Sequence, residues 1–354
     1  MNQDRTPIGG RGARRNPPNR FETISYVSDP DGAGPESDPI KPQTIFLRDT
    51  TRSIVTFNDS PDVGFEASVN PYRGCEHGCA YCYARPYHEY LGFSAGLDFE
   101  TKILVKERAA ELLRNKLSSP RWTPRPVGMS GVTDPYQPIE RHLKITRGCI
   151  SVLAEFRNPL TIVTKNHLIT RDIDLLSDLA RVHAVFVMIS FSTLRAELAQ
   201  ILEPRTSTPA RRLEAIEALS TAGIPVGVFA APIIPGLTDH EVPSIVESAA
   251  GAGARFAICH LVRLPHGVGA LFEEWLECHL PQRKNKVLNR IRETRQGRLD
   301  DSRFCTRFRG QGKFADQIAA LFEAACRKTG MGHESPELST AAFRRPAKGQ
   351  LSLF

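Results

Sequence analysis

The sequence predicts an α/β fold in which a parallel sheet forms a barrel or part of one. Near-continuous apolar segments alternate with amphipathic segments through the middle of the chain, a pattern typical of parallel strands covered by helices. Six strand-like segments occur, at 65–70, 126–132, 160–164, 184–191, 226–231 and 256–261. Six such units in a row favour a partial (β/α)6 barrel of the TIM type over a sandwich.

The segments around this core divide the chain into four parts. Amphipathic helices are expected at 107–117, 172–180, 210–221 and 240–250, which places the barrel at 62–264. Further helices are expected at 271–276, 287–295 and 314–326, within a basic helical extension at 265–330. Residues 1–45 are rich in Gly, Pro, Arg and Asp and predict a disordered arm, and residues 333–354 predict a loose tail.

Composition limits where the protein works and what it binds. The chain has 354 residues, 41% of them hydrophobic, with no apolar run long enough to span a bilayer. Its first residues lack the apolar core of a secretory signal, so a cytoplasmic protein without a membrane partner is expected. The net charge of +7 permits a polyanionic partner such as nucleic acid.

Three cysteines on one short loop are the strongest chemical signal. Cys75, Cys79 and Cys82 directly follow the first predicted strand, where a parallel barrel carries its chemistry. Iron–sulfur clusters normally have four cysteine ligands, so three from one loop leave one iron open. The alternative is a structural zinc site completed by His77 or His88, in a non-enzymatic nucleic-acid-binding module.

With Tyr81 before the last cysteine, this loop resembles the Cys-x-x-x-Cys-x-aromatic-Cys signature of the radical S-adenosylmethionine (SAM) superfamily. The resemblance implies a partial six-unit barrel and a [4Fe–4S] cluster whose metal ligands are the three cysteines. It also implies that SAM binds the open iron and is cleaved to methionine and a 5′-deoxyadenosyl radical. The electron would come from a reductant such as flavodoxin or ferredoxin.

The resemblance also implies which residues contact SAM, because the family binds it at the strand ends. Asp134, Gln137 and Glu140 are candidate acceptors for its ammonium group, and Lys165 is a candidate partner for its carboxylate. The remaining candidates surround the ribose, the carboxylate, the adenine and the cluster: Tyr81, Ser190, Ser192, Glu203, Arg205, Ile233 and Gly236. Arg212, on the following helix, fits a surface position equally well.

Within the superfamily the chain looks most like the spore photoproduct lyase branch, often labelled DNA repair photolyase-like. The resemblance spans about 68–264 and rests on segments 70–85, 133–134, 164–165, 203–204 and 235–237. Spore photoproduct lyases carry a hydrogen-donating cysteine just before the Thr/Ser-Asp pair, where this chain has Gly131 and Val132. Cys149 is an imperfect substitute. We therefore expect the family architecture without lyase activity.

The C-terminal extension adds a basic stripe that favours an anionic partner. Together with the resemblance to the photolyase-like branch, this charge implies a nucleic acid or nucleotide as substrate. A protein or small-molecule substrate, with the stripe as a solvated surface, is the alternative. Its members are Arg283, Lys284, Lys286, Arg290, Arg292, Arg295, Arg298, Arg303, Arg307 and Arg309. The remaining cysteines are widely spaced and predict core packing, with an auxiliary cluster as the alternative: Cys259, Cys278, Cys305 and Cys326.

Overall fold

A computed structural model describes residues 7–22 and 42–346, and an open parallel sheet forms its centre. The strands of the described residues are β1 (Ile45–Arg48), β2 (Val55–Phe57), β3 (Ala67–Val69), β4 (Tyr72–Arg73), β5 (Lys102–Val105), β6 (Val127–Met129), β7 (Leu160–Thr164), β8 (Val185–Phe191), β9 (Val226–Ile233) and β10 (Phe256–Leu261). Their α-helices are α1 (Leu97–Thr101), α2 (Ala109–Ser118), α3 (Glu140–Leu143), α4 (Ile145–Phe156), α5 (Ile173–Ala180), α6 (Ala196–Leu202), α7 (Pro209–Thr221), α8 (Val242–Gly251), α9 (Val268–His279), α10 (Lys284–Glu293) and α11 (Lys313–Thr329).

The main sheet has seven strands in the order β10-β9-β8-β7-β6-β3-β2. The neighbours from β3 to β10 are parallel, and only β2 pairs antiparallel in this sheet, with β3. The parallel strands fall in all six segments expected from the sequence. Their chain order matches their order in the sheet, as consecutive βα units require, and this confirms the predicted α/β fold.

Side-chain alternation separates the two faces of this sheet. In β8, Val187, Ile189 and Phe191 lie fully buried in the core formed with the surrounding helices. Met188 and Ser190 point to the opposite face, because successive residues of a strand alternate. Ser190 therefore lies on the face opposite this core, near the carboxyl edge of the sheet.

A smaller sheet anchors the cysteine loop. Its order is β1-β5-β4, and β4 leads directly into that loop. The loop is further attached where the Cys75 amide donates to the Phe99 carbonyl in α1, over 2.9 Å.

Helices of the C-terminal extension pack against the cysteine loop as well as the barrel. Cys79, Ala80 and Tyr81 share one apolar cluster with residues of α6, α9 and α10. Elsewhere in the molecule, α11 packs on α8 and β10. No helix of the described residues combines the length and apolarity needed to cross a membrane.

Two segments differ from their predicted disorder. Residues 7–22, inside the expected arm, hold defined positions against the cysteine loop, because a buried carboxylate accepts hydrogen bonds from their backbone. The rest of the arm before residue 42 lies outside the described residues. In the tail, Phe343 packs against Phe156 with ring centroids 6.3 Å apart, and the Arg344 amide donates to the Phe156 carbonyl.

Candidate active site at the cysteine loop

The three thiols lie on a tight loop that two glycines allow. Gly74 and Gly78 have φ values of +80° and +66°, which favour glycine over residues with a side chain. The Gly78 amide donates to the Cys75 carbonyl and the Cys82 amide to the Cys79 carbonyl. Cys75 and Cys79 are buried and Cys82 is half-buried, and all three are free thiols.

This environment fits a metal cluster with positive charge. Burial raises the pKa of Cys75, Cys79 and Cys82, and the thiols of Cys75 and Cys79 are close enough to other thiols for their pKa to rise further. Thiolates at these positions therefore need a compensating cation, and iron supplies it in an iron–sulfur cluster. Among the described residues, no three His, Cys, Asp or Glu side chains are arranged around a position for one metal ion.

A buried ion pair between Arg85 and Glu100 is hydrogen-bonded to the backbone of the cysteine loop. The guanidinium of Arg85 donates to the Cys79 carbonyl over 2.9 Å and pairs with the carboxylate of Glu100 over 2.5 Å. The same carboxylate accepts hydrogen bonds from the amides of Gly12 and Ala13, at 3.0 and 2.8 Å. Glu100 thus joins the N-terminal segment to the cysteine loop.

Asp134 ties the ends of neighbouring strands together beside the thiols. Its carboxylate accepts from the Thr164 hydroxyl at 2.7 Å and the Lys165 amide at 2.8 Å, and lies 3.4 Å from His77 Nδ1. Burial acts to raise the pKa of Asp134, but His77 and these hydrogen bonds hold it below its usual value. The carboxylate therefore stays ionised at the rim of the barrel.

Five of the predicted SAM contacts meet in one buried polar network at the ends of β7, β8 and β9. Lys165 Nζ donates to Ser190 Oγ at 2.7 Å and to the Ala231 carbonyl at 3.0 Å. It also lies 3.3 Å from the carboxylate of Glu203. Ser192 donates to that carboxylate at 2.6 Å.

Tyr81 and Arg212 complete this network. We call it the Glu203 network, and its members are Tyr81, Lys165, Ser190, Ser192, Glu203 and Arg212. The Tyr81 hydroxyl donates to Glu203 and lies 2.9 Å from Ser192 Oγ. Arg212, fully buried, forms an ion pair with Glu203. Burial acts to raise the pKa of Glu203, but Arg212 and Lys165 hold it far below its usual value, so an anion lies between two cations.

Two of the predicted SAM residues have other partners. Gln137 is fully buried and binds the backbone of the cysteine loop, accepting from the Glu76 amide at 2.9 Å and donating to the Gly74 carbonyl. Glu140 is equally buried at the start of α3, where its carboxylate accepts from the Tyr72 hydroxyl and the Arg171 guanidinium. Both side chains therefore have structural partners, and their contacts with SAM stay a prediction.

Ile233 and Arg205 lie outside the Glu203 network, and their contacts with SAM stay predictions. Ile233 lies within β9 and is fully buried in the main core, because the strand continues past its predicted end. Arg205 pairs with Glu76 at 3.1 Å and reaches Thr44 at 3.3 Å, so it has partners outside the Glu203 network. Gly236 faces the side chain of Arg290 on α10, where an added Cβ would come within 3.1 Å.

Sequence reasoning missed the roles of three residues that shape the site. The position of Arg212 in its helix is equally consistent with a surface residue, but its side chain lies in the Glu203 network. The neighbouring sequence gives no sign of this contact. Arg85 belongs to the cysteine motif, but its spacing does not reveal the ion pair behind the loop. His77 fits a zinc ligand by position, whereas its ring lies between Asp134 and Asn166. The other zinc candidate, His88, packs between Phe93 and Phe99.

The basic stripe of the C-terminal extension does not form one surface. Arg295 is buried and donates to the Val262 carbonyl at 2.6 Å. Lys284 pairs with two glutamates of α9, and Arg303 pairs with Asp301. Arg290 and Arg307 are paired as well, with Glu293 and Asp62. Apart from the buried Arg295, the members without an ion pair among the described residues are Arg283, Lys286, Arg292, Arg298 and Arg309.

Some of these members line a basic groove of about 630 Å³ between α10 and the loops after β8 and β9. Its lining comprises Arg195, Gly236, Asp239, His240, Arg283, Lys286, Arg290 and Phe314. Four of these side chains are Arg or Lys, and two of them are paired, Arg195 with Glu241 and Arg290 with Glu293. Arg283 and Lys286 have no ion pair among the described residues, so they make the groove suited to an anion.

The remaining cysteines lie in separate environments. Cys149 is buried in α4 within the main core. Cys259 of β10 lies close enough to Cys326 of α11 for that thiol to affect its pKa, Cys278 accepts from Arg14, and Cys305 is exposed. Core packing thus describes some of these cysteines, while Cys305 lies at the surface.

Comparisons with known proteins find several relatives, and a family model whose match includes the cysteine loop. The family model "Radical SAM superfamily" matches residues 69–249, just over half of the chain. An uncharacterised protein of Mycobacterium tuberculosis is 37% identical over 231 residues, covering 65% of this chain and 67% of the relative. An uncharacterised protein of Methanocaldococcus jannaschii is 31% identical over 178 residues, covering 50% of this chain and 64% of that protein.

Solved structures share the fold. Spore photoproduct lyase complexed with dinucleoside spore photoproduct superposes with a TM-score of 0.58 at 16% identity, covering 81% of this chain and 80% of that one. A double mutant of that lyase with bound AdoMet and the same dinucleoside has a TM-score of 0.57 at 16% identity, with the same coverage. From the family match across the cysteine loop and barrel, we conclude that this chain belongs to the radical SAM superfamily.

Proposed function

We propose that this protein is a radical SAM enzyme of the cytoplasm that acts on a nucleic acid or a nucleotide. Cys75, Cys79 and Cys82 would hold a [4Fe–4S] cluster, and flavodoxin or ferredoxin would deliver the electron. When bound, the cluster supplies that electron to SAM, which breaks into methionine and a 5′-deoxyadenosyl radical. The observation that carries this proposal is the set of three free thiols on one loop directly beside the Glu203 network.

The Glu203 network provides groups that match the polar parts of SAM. Lys165 presents an ammonium group that a carboxylate can pair with, and its side chain is 13% exposed. Ser190, Ser192 and Glu203 offer hydroxyl and carboxylate oxygens of the kind that bind ribose hydroxyls or an ammonium group. These residues orient the bound molecule and exclude water from it.

The substrate class rests on charge. The basic groove collects four cations on the side of the strand ends, and the chain has a net charge of +7. The fold neighbour described above is spore photoproduct lyase in complex with dinucleoside spore photoproduct. These observations support a nucleic acid or nucleotide over a protein or a neutral small molecule.

We propose that the 5′-deoxyadenosyl radical starts a different reaction here from that of spore photoproduct lyase. Gly131 and Val132 stand where spore photoproduct lyases are expected to carry a hydrogen-donating cysteine. Cys149 does not replace it, because this residue is fully buried in the main core. The reaction proposed here therefore proceeds without a cysteine donor at this position.

The first test is anaerobic reconstitution with iron and sulfide, followed by reduction with dithionite and SAM. We expect a brown protein that forms 5′-deoxyadenosine, and loss of both properties in Cys79→Ala. Cys305→Ala, which removes an exposed thiol elsewhere, serves as the control and should behave like the wild type. A colourless protein that binds zinc and forms no 5′-deoxyadenosine would contradict the proposal.

A further inference from the structure

A row of alternating rings and guanidinium groups extends from the cysteine loop to the C-terminal extension. Arg263 lies over the ring of Tyr83 at 5.3 Å and over that of Phe308 at 5.9 Å. Arg307 lies over Phe308 at 4.8 Å and over Phe304 at 4.9 Å. We call these five residues the arginine–aromatic ladder.

Both ends of the ladder are open to solvent. Tyr83 is 43% exposed and Phe304 is 53% exposed, although large aromatic residues usually bury more of their surface. In the middle of the ladder, the ring of His260 stacks on that of Phe308. The ring centroids are 4.2 Å apart and the angle between the ring planes is 3°. Burial lowers the pKa of His260 to about 4, so this ring is neutral near pH 7 and adds a rigid, flat support.

The ladder carries positive charge that its surroundings cancel only in part. Arg307 is paired with Asp62 at 2.6 Å. Arg263 has no ion pair among the described residues, and its buried Nε has no hydrogen-bond partner there. Arg309, exposed and close enough to His260 to lower its pKa, adds a further cation. A ligand that offers flat rings together with negative charge would satisfy these groups.

The position of the ladder relates it to the proposed chemistry. Tyr83 follows the ligand Cys82 directly, and its hydroxyl donates to the Gly131 carbonyl after β6 at 2.7 Å. Arg263 lies just beyond the end of β10. Tyr83, at one end of the ladder, is therefore adjacent to the thiols. Phe304, at the other end, lies on the C-terminal extension.

We propose that the arginine–aromatic ladder binds unpaired bases of a nucleic-acid strand and brings one base to the cysteine loop. Bases would stack on Tyr83 and Phe304, and phosphates would pair with Arg263 and Arg309, as in proteins that bind single strands. A base inside a duplex cannot stack in this way, so the ladder selects single-stranded or flipped-out nucleotides. This inference rests on the proposed nucleic-acid substrate.

The test is the fluorescence anisotropy of a labelled DNA strand of about ten nucleotides with the full chain, a length within the usual single-strand site size. It is repeated with the matching RNA and with the duplex, and we expect single strands to bind more tightly than the duplex. Phe304→Ala should weaken single-strand binding by about 5- to 150-fold, the range for loss of one stacked base. Arg263→Ala should also weaken it, and should reduce its salt dependence, because a phosphate contact is lost. Arg263→Lys, which keeps the charge without the planar group, should recover only part of the affinity.

Phe57→Ala is the matched control. Phe57 is also 53% exposed and also has cations over its ring, Lys116 and Arg125, but it lies on β2 at the edge of the sheet. If Phe57→Ala weakens binding as much as Phe304→Ala, or if neither does, the ladder is overturned while nucleic-acid binding stands. If the wild type binds neither strand nor duplex, the nucleic-acid substrate itself is wrong. Formation of 5′-deoxyadenosine from SAM is measured separately and does not depend on either result.

Discussion

At the scale of single residues, the site depends on buried charges that compensate one another. Glu203 has cations on two sides, Arg212 and Lys165, and each of the three is buried or nearly so. Breaking a buried ion pair by removing one partner costs more than the pair itself contributes, because the remaining charge loses both water and its counterion. Binding and stability are therefore linked at this point of the molecule.

Lys165 is expected to contribute to SAM binding. Replacing it with Ala should weaken the affinity for SAM by roughly 10- to 100-fold, since a hydrogen bond to a charged group is lost. Equilibrium dialysis with the reconstituted protein measures this affinity, and the absorbance of the cluster should not change. Lys102→Ala, which removes a surface partner of Asp98, should bind SAM normally. Unchanged SAM affinity in Lys165→Ala would remove this residue from the proposed site.

Glu203 is expected to stabilise the fold in a pH-dependent way. Glu203→Gln leaves Arg212 without its counterion and should lower the free energy of unfolding by about 3–5 kcal/mol, as measured by urea denaturation. The double variant with Arg212→Met should recover part of this loss.

The sign of the pH effect follows from the lowered pKa of Glu203 in the folded protein. Its stabilisation is complete above the usual pKa of 4.5 and is lost as the pH falls toward the folded value. The wild type should therefore lose stability below this pH more steeply than Glu203→Gln. Parallel pH profiles for the two proteins would contradict the assignment.

At the scale of elements, residues 7–22 form a strap over the cysteine loop. Gly12 lies so close to the loop that an added Cβ would come within 1.7 Å of the Gly78 carbonyl oxygen. On the same strap, the Arg15 carbonyl approaches the position of a Cβ on Gly96 to 1.9 Å. We expect a strap in such close contact to shield the thiols from solvent and oxygen.

Gly12→Ala is therefore expected to displace the strap. We expect the cluster of the reconstituted variant to bleach faster in air, and the stability of the fold to fall by about 1–3 kcal/mol, as for other overpacked sites. Gly9→Ala is the matched control on the same segment, because nothing lies within 4 Å of an added Cβ there. Equal bleaching rates for the two variants would show that the strap does not protect the cluster.

At the scale of the whole molecule, positive charge is distributed unevenly. Part of the basic stripe stabilises the extension internally, as Arg295 does through the Val262 carbonyl. Arg283 and Lys286 remain exposed in the basic groove. Polyanion binding should therefore depend on a few cations and not on the net charge alone.

Reversal of two groove charges tests this distribution. Arg283→Glu with Lys286→Glu should weaken single-stranded DNA binding and lower the slope of log K against log salt by about 1 to 2, because two phosphate contacts are lost. Arg327→Glu with Lys328→Glu reverses two exposed charges of α11 and should change the slope little. A similar loss in both double variants would indicate general electrostatics and contradict a specific groove.

The sequence by itself determined the parts of this protein that depend on nearby residues. The cysteine spacing, with its aromatic residue, predicted the family, and hydrophobic alternation predicted the six parallel strands, because both signals arise within a few residues of chain. The same pattern predicted that residues at strand ends, such as Lys165 and Ser190, lie close together, since parallel strands bring their carboxyl ends to one edge of the sheet.

The tertiary structure alone decided which polar groups meet. Glu140 and Gln137 stand at the expected strand end, but distant partners such as Tyr72 and Glu76 direct them into structural contacts. Arg212 and the strap were invisible for the same reason, since a buried ion pair or a close backbone contact depends on segments far apart in the chain. Gly12 and Glu100 are 88 residues apart, and only the folded chain places them in contact.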